Sequence, residues 1–178
     1  MEDADDLEVF CERTYPKLVG ALDLYLGDLH VAEELAQEAL VKAAKRWAKI
    51  REYDSPGGWT YRVAMNLAKS WIRRKRAEAR AYARSDVDVD APLELDQDVS
   101  DRRAVRDALQ TLPETQRRAV VLRYYLGMSG PEAADALDIS HAALRARLKR
   151  GIEGLREQLG AELGALDTVD IEEAHDAV

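Results

Sequence analysis

The chain has 178 residues, 47% apolar and 34% charged, with 10 glycines and 5 prolines, which suits one large domain or two small ones and favours helix over sheet. A single cysteine, Cys11, excludes an intrachain disulfide; His30, His141 and His175 lack metal-ligand spacing; no nucleophile–base set or Gly-rich phosphate loop signals catalysis. The net charge of −8 argues against a nucleic-acid partner only as an average, because residues 39–84 carry +10 while residues 1–38 carry −9, 85–101 carry −7 and 159–178 carry −6.

In chain order, the acidic opening lacks the basic-then-apolar pattern of a secretory signal, and no apolar run approaches a membrane span, so a cytoplasmic protein without membrane insertion is expected. Apolar spacing predicts a first helix over residues 5–26, carried by Leu7, Phe10, Cys11, Leu18 and Leu22, with a break or kink at Pro16. Cys11 reads as a small buried core residue rather than a redox group. A second helix is predicted over residues 30–50: Val31, Leu35, Ala36, Ala39, Leu40, Ala43 and Trp47 form its apolar stripe, and Glu33, Glu34, Gln37 and Glu38 lie outside it. Residues 52–58, EYDSPGG, read as a loop.

A third helix is predicted over residues 59–83. Val63, Ala64, Leu67 and Trp71 share its core side, and Arg62, Asn66, Lys69 and Arg73 recur on another side, continued by Arg74, Lys75 and Arg76. Trp47 and Trp71 read as core; Trp59, beside the loop, is left open between packing and base stacking. Residues 85–101, acidic and with Pro92, read as a flexible linker between two domains. Val105, Ala108, Leu109 and Leu112 then predict a short helix, and Val120, Val121, Leu122, Tyr125 and Leu126 another that ends at Gly127.

The densest signal follows in residues 128–150, MSGPEAADALDISHAALRARLKR. Ser129 and Pro131 suit a helix start, Ala133, Ala134 and Leu137 an apolar stripe, Asp138 a left-handed turn and Ser140 a second cap. Beyond it Ala142, Leu144 and Leu148 are expected inside, with Arg145, Lys149 and, further round, Arg147 and Arg150 reaching outward towards a DNA groove. This is a helix-turn-helix layout; a plain helical hairpin with a solvated basic face is the alternative. Ile152, Leu155 and Leu159 extend the second helix, and an acidic tail follows.

Three motifs resemble those of the extracytoplasmic-function (ECF) group of bacterial sigma factors, over about residues 6–160. AEELAQEAL (32–40) resembles the core-binding segment, WTYRVAMNLA (59–68) with its Arg/Lys run resembles the promoter-melting helix, and residues 112–150 resemble the promoter-reading domain. The resemblance implies an all-α protein of two small helical domains joined by a flexible acidic linker: 1–84, linker 85–101, 102–160, and an acidic tail 161–178. It implies a non-enzymatic RNA polymerase sigma factor without a cofactor or metal, whose partners are core RNA polymerase, through its clamp and flap, and promoter DNA. An anti-sigma factor stays open as a further partner. Glu34, Gln37, Glu38 and Leu40 would meet the clamp. Arg62, Asn66, Lys69, Arg73, Arg74, Lys75 and Arg76 would engage the −10 element, with the 52–58 loop shaping a pocket for an extruded base, and Ser140, His141, Arg145, Arg147, Lys149 and Arg150 would engage the −35 element. Asp138 replaces a frequent glycine, and Ala143-Leu144-Arg145-Ala146-Arg147 replaces a common T-V-K-S-R run, removing two hydroxyls that could bond phosphates or bases and so implying an altered −35 preference. The alternative function is an autonomous helix-turn-helix transcriptional regulator.

Overall fold

A computed structural model describes residues 2–82 and 100–160, and every regular element among them is helical. The first half contains α1 (Glu2–Leu26), α2 (Leu29–Ala44), the single turn α3 (Trp47–Ile50) and α4 (Pro56–Tyr82). The second contains α5 (Ser100–Thr111), α6 (Glu114–Val120), a π-helical turn (Val121–Tyr125), α7 (Gly130–Leu137) and α8 (His141–Leu159). Most of the expected linker and all of the tail lie outside the described residues, although Ser100 and Asp101, placed in the linker by composition, already belong to α5.

α1 and α2 form a hairpin closed by Gly27, at φ +76°, and by Asp28, whose side chain accepts from the Val31 N–H at 3.1 Å. α1 runs through Pro16 instead of breaking there. Proline deprives the Glu12 carbonyl of its partner, but Glu12 and Pro16 both lie on the exposed side, where water can satisfy that group. The single helix expected over 30–50 is interrupted after Ala44: Arg46 leaves the helical region at φ −123°, and α3 restarts with Trp47 set against Phe10 at 4.8 Å and Ile50 buried. No glycine or proline marks that break in the sequence.

Pro56 and the two following glycines, expected in a loop, instead open α4. Proline lacks an N–H where a first helical turn needs none, Ser55 Oγ accepts from the Gly58 N–H at 3.0 Å, and the buried Thr60 hydroxyl donates to the Pro56 carbonyl at 2.9 Å. The core side of α4 holds Ala64, Met65 and Ala68 fully buried, with Val63, Leu67 and Trp71 packed at its margin.

In the second half, Ala108, Leu109, Leu112, Ala119, Val120, Val121, Leu122, Leu144 and Leu155 are buried. Gly151 sits where α8 crosses α6, so close that a Cβ there would lie 2.8 Å from Val120 Cγ2. The π-helical turn, with Leu126 N–H bonded to the Val121 carbonyl at 3.1 Å, shifts the helical phase and leaves Tyr124 and Tyr125 exposed, which corrects the inward placement of Tyr125. Val105 and Ala142, also expected inside, are exposed, and Cys11 is half-buried rather than buried.

The two halves are packed on one another. Tyr25, fully buried, donates to Glu114 Oε1 at 3.1 Å; Gln110 Nε2 donates to the Leu24 carbonyl at 3.0 Å and Arg117 Nη1 to the Tyr25 carbonyl at 2.9 Å. The last carbonyls of α1, which have no intrahelical partner, are thus capped by the other half. Arg106 pairs with Asp23 at 3.2 Å and Arg76 with Glu114 at 2.8 Å, and Arg62 pairs with Asp135. The Tyr125 hydroxyl presses on Gly20, where no side chain leaves room for it. Burial, then the Glu114 charge, push the Tyr25 phenol far up, so it stays a neutral donor.

Candidate nucleic-acid interface

The helix-turn-helix is built as its residues dictate. Ser129 caps α7 in a reciprocal box: its backbone N–H donates to Glu132 Oε2 at 2.8 Å and its hydroxyl accepts from the Glu132 N–H at 3.4 Å. Hydrogen bonding to the Ser129 side chain first, and to its backbone N–H second, holds the Glu132 carboxyl below the ordinary carboxylate range. Asp138 adopts φ 55°, ψ 52°, the left-handed turn in which glycine is common and which aspartate also tolerates. Ser140 caps α8 by accepting from the Ala143 N–H at 3.2 Å, so its oxygen is occupied by the protein's own backbone. From that anchored start His141, Arg145 and Lys149, at i, i+4 and i+8, form one exposed row on α8, with Arg150 beside it donating Nε to the Ala146 carbonyl at 3.1 Å. Arg147 departs from this row: it is half-buried and faces the first half across the seam.

On α4, Asn66, Lys69, Arg73, Arg74, Lys75 and Arg76 are exposed, and Lys75 Nζ lies 5.3 Å from the Trp71 ring centroid. Arg62 and Arg76 are committed to Asp135 and Glu114 of the second half. The structure therefore brings Arg62, Lys69 and Arg76 of α4 to a seam with the second half, where Arg147 also lies, while His141, Arg145 and Lys149 stay outside it. A cavity of about 350 Å³ opens below the start of α4, lined by Arg46, Lys49, Ile50, Tyr53 and Trp59. It adjoins the 52–58 segment, but α3 and Trp59 supply most of its wall. Arg46, Lys49 and Tyr53 were not singled out in the sequence; the interleaving of basic and aromatic residues in RWAKIREY (46–53) was the available signal.

On α2, Glu33, Glu34, Gln37 and Glu38 project outward, with Lys42 bridging to Glu38 at 3.1 Å and His30 facing Glu34 at 3.7 Å. Leu40, expected as the apolar anchor of that face, is half-buried against the core. Its neighbour Val41 is 51% exposed and supplies the apolar atoms instead. Among the described residues there is no grouping of His, Cys, Asp and Glu able to hold a metal, and no helix long and apolar enough to cross a membrane.

A helix-turn-helix and a basic helix on one chain whose described elements are all helical define a helical nucleic-acid-binding factor of bipartite design. Comparison with known families sharpens this. Residues 10–78 match sigma-70 region 2 and residues 102–154 match sigma-70 region 4. The chain is 35% identical over 129 residues to the RNA polymerase sigma-E factor of Streptomyces avermitilis, covering 72% of this chain and 70% of that protein. It is 28% identical over 167 residues to the ECF RNA polymerase sigma factor SigK of Mycobacterium sp. (strain KMS), covering 89% and 85% respectively. Its fold matches that of the sigma factor RpoE of Bartonella quintana, solved with the anti-sigma factor NepR, with a TM-score of 0.73 at 21% identity over 86% of this chain and 96% of that one. The chain belongs to the sigma-70 family, within its ECF group.

Proposed function

We propose that the chain serves core RNA polymerase as a non-catalytic specificity subunit that docks through the acidic face of α2, engages the −10 element through α4 and the cavity beside it, and reads the −35 element through α8. The observation that carries this is the exposed His141/Arg145/Lys149 row on a helix whose N-terminus is anchored by Ser140, following a capped α7 and a left-handed turn. Arg145 and Lys149 offer the donors that guanine edges and phosphates accept, whereas Ser140, already capping α8, acts as a positioning residue.

The cavity lined by Arg46, Lys49, Tyr53 and Trp59 offers aromatic surface and positive charge to an unstacked base and its phosphate. Asn66, Lys69 and Arg73 carry the charge on along α4. At the polymerase face, Glu34, Gln37 and Glu38 surround Val41. That surface is open while the halves are closed, and the same exposure leaves it available to an anti-sigma partner. The proposed domains remain 1–84 and 102–160 with the acidic strap between them, and the cytoplasm is where a polymerase subunit works.

Run-off transcription with core polymerase and a promoter library tests the reading. Promoter-dependent initiation that needs both chain and core is expected, and Arg145→Ala reduces it only on promoters that contain the −35 element. Tight operator binding by the chain alone, with no initiation, would assign an autonomous regulator instead.

A further inference from the structure

Between the halves lies a second cavity of about 270 Å³, and its lining is unusual in charge. Lys69 comes from α4, Arg118 from α6 and Arg147 from α8; Glu114, Thr115 and Asp138 complete its polar wall. The carboxylates offset these cations only in part. Glu114 is taken by Arg76 at 2.8 Å and the Tyr25 hydroxyl at 3.1 Å, and Asp138 sits on the exposed turn. Lys69 and Arg147 enter no ion pair among the described residues, and Arg118, only 7% exposed, leaves its buried Nε without a hydrogen-bond partner.

A guanidinium buried to that extent and incompletely bonded is costly unless something supplies negative charge and acceptors. Burial and the nearby Arg147 both work against the Arg118 charge, while Tyr25 and Glu114 only partly favour it. Three cations converging from three helices on one small cavity make an anion site of the kind that oxyanions satisfy, with several acceptors on one compact group. Drug-sized ligands occupy roughly 300–1,000 Å³. The smaller volume here fits one or two phosphate units rather than a whole nucleotide.

We propose that the interdomain cavity binds a phosphate-type oxyanion through Lys69, Arg118 and Arg147, and that this anion fastens the two halves together. Closure and promoter binding then draw on the same side chains, because Lys69 belongs to the proposed −10 set and Arg147 to the proposed −35 set. An anion in the seam holds both away from DNA. The regulatory consequence depends on the proposed promoter contacts; the binding site does not.

The test uses the full chain without DNA or polymerase, titrated calorimetrically with inorganic phosphate, pyrophosphate, AMP and acetate at constant ionic strength set by chloride. Saturable one-site binding of phosphate or pyrophosphate is expected, with a higher melting temperature. AMP tests whether the phosphate can arrive on a nucleoside, and acetate binding as tight as phosphate would overturn the assignment to phosphate chemistry. Losing one charge-assisted contact weakens binding about tenfold or more, so Arg118→Gln, Lys69→Gln and Arg147→Gln should each do so while Arg145→Gln, a cation outside the cavity, should not. Lys69 is exposed and Arg147 half-buried, so those variants decide the matter if Arg118→Gln does not fold. Absent saturable binding, or equal weakening by Arg145→Gln, rejects the site. Binding with no effect on a fork-junction promoter probe keeps the site and removes its regulatory role.

Discussion

Replacing Gly20 by leucine is the most direct way to prise the halves apart. A Cβ on Gly20 would collide with the Tyr125 hydroxyl and lie 2.7 Å from its Cζ and 3.3 Å from its Cε1, so either the ring swings away or α1 and the π-helical turn separate. Tyr125 is 47% exposed and its ring can give way, so the cost falls at the low end of overpacking, about 1 kcal/mol, and because it bears only on the closed arrangement it shifts the closed-to-open ratio by roughly 5-fold. The gain in helix propensity from removing glycine is shared by both arrangements and cancels. Cys11, the chain's one cysteine, and a second introduced as Glu157→Cys carry a donor and acceptor that report separation of the halves. Anisotropy of a single-stranded −10 probe at low salt reports whether Arg62 and Arg76 become available. Gly20→Leu should lower energy transfer and tighten probe binding, and the Tyr125→Ala background should remove most of the effect. Transfer and affinity both within about twofold of the parent, or an undiminished effect without the Tyr125 ring, would falsify closure as the brake on DNA binding.

Gly151→Ala should lower stability by up to about 2 kcal/mol in urea denaturation, since the clash of the new methyl with Val120 Cγ2 at 2.8 Å, about 1–3 kcal/mol, outweighs the roughly 1 kcal/mol that alanine gains over glycine in a helix; a midpoint raised by that full propensity gain would show that α6 and α8 make room at no cost. The depressed Glu132 carboxyl stabilises the fold above its unfolded pKa, and that contribution disappears as pH falls through the lower folded value. The melting difference between parent and Glu132→Gln should therefore be largest near neutrality and vanish in acid, and a gap that widens on acidification would refute the capping account. Trp59→Ala should weaken single-stranded −10 binding by about 1–3 kcal/mol if its ring stacks on a base, with little change for duplex −35 probes; equal losses on both would indicate a folding defect.

Local chemistry was the most legible part of the sequence. Ser129, Asp138 and Ser140 each act through groups within a few residues, and all three do what their side chains favour: a capping box, a left-handed turn and a second cap. Phase errors arose where a backbone device has no composition signature. The π-helical turn turned Tyr125 outward, and the break at Arg46 split one expected helix into two. Pro56 misled for the opposite reason, since proline punctuates a loop and starts a helix with equal ease. The seam was not legible. Arg62–Asp135, Arg76–Glu114 and Tyr25–Glu114 join residues far apart in the chain, and nothing in the local pattern of either half distinguishes a side chain that awaits DNA from one that already has a partner.

That distribution of partners gives binding an order. Closure engages Arg62 and Arg76 and turns Arg147 inward, yet it leaves the acidic face of α2, with Glu34, Glu38 and Val41, open to solvent. The surface proposed for polymerase is therefore competent in the closed chain, while part of the surface proposed for promoter DNA is not. A partner that binds both arrangements equally would leave this balance untouched, so polymerase can promote DNA binding only by holding the halves at a spacing the seam cannot span. The exposed ion pairs in the seam are individually weak, at about 0–1 kcal/mol, so the apolar core that runs from one half into the other, together with the Tyr25–Glu114 contact and the carbonyl caps from Gln110 and Arg117, must supply most of what polymerase overcomes.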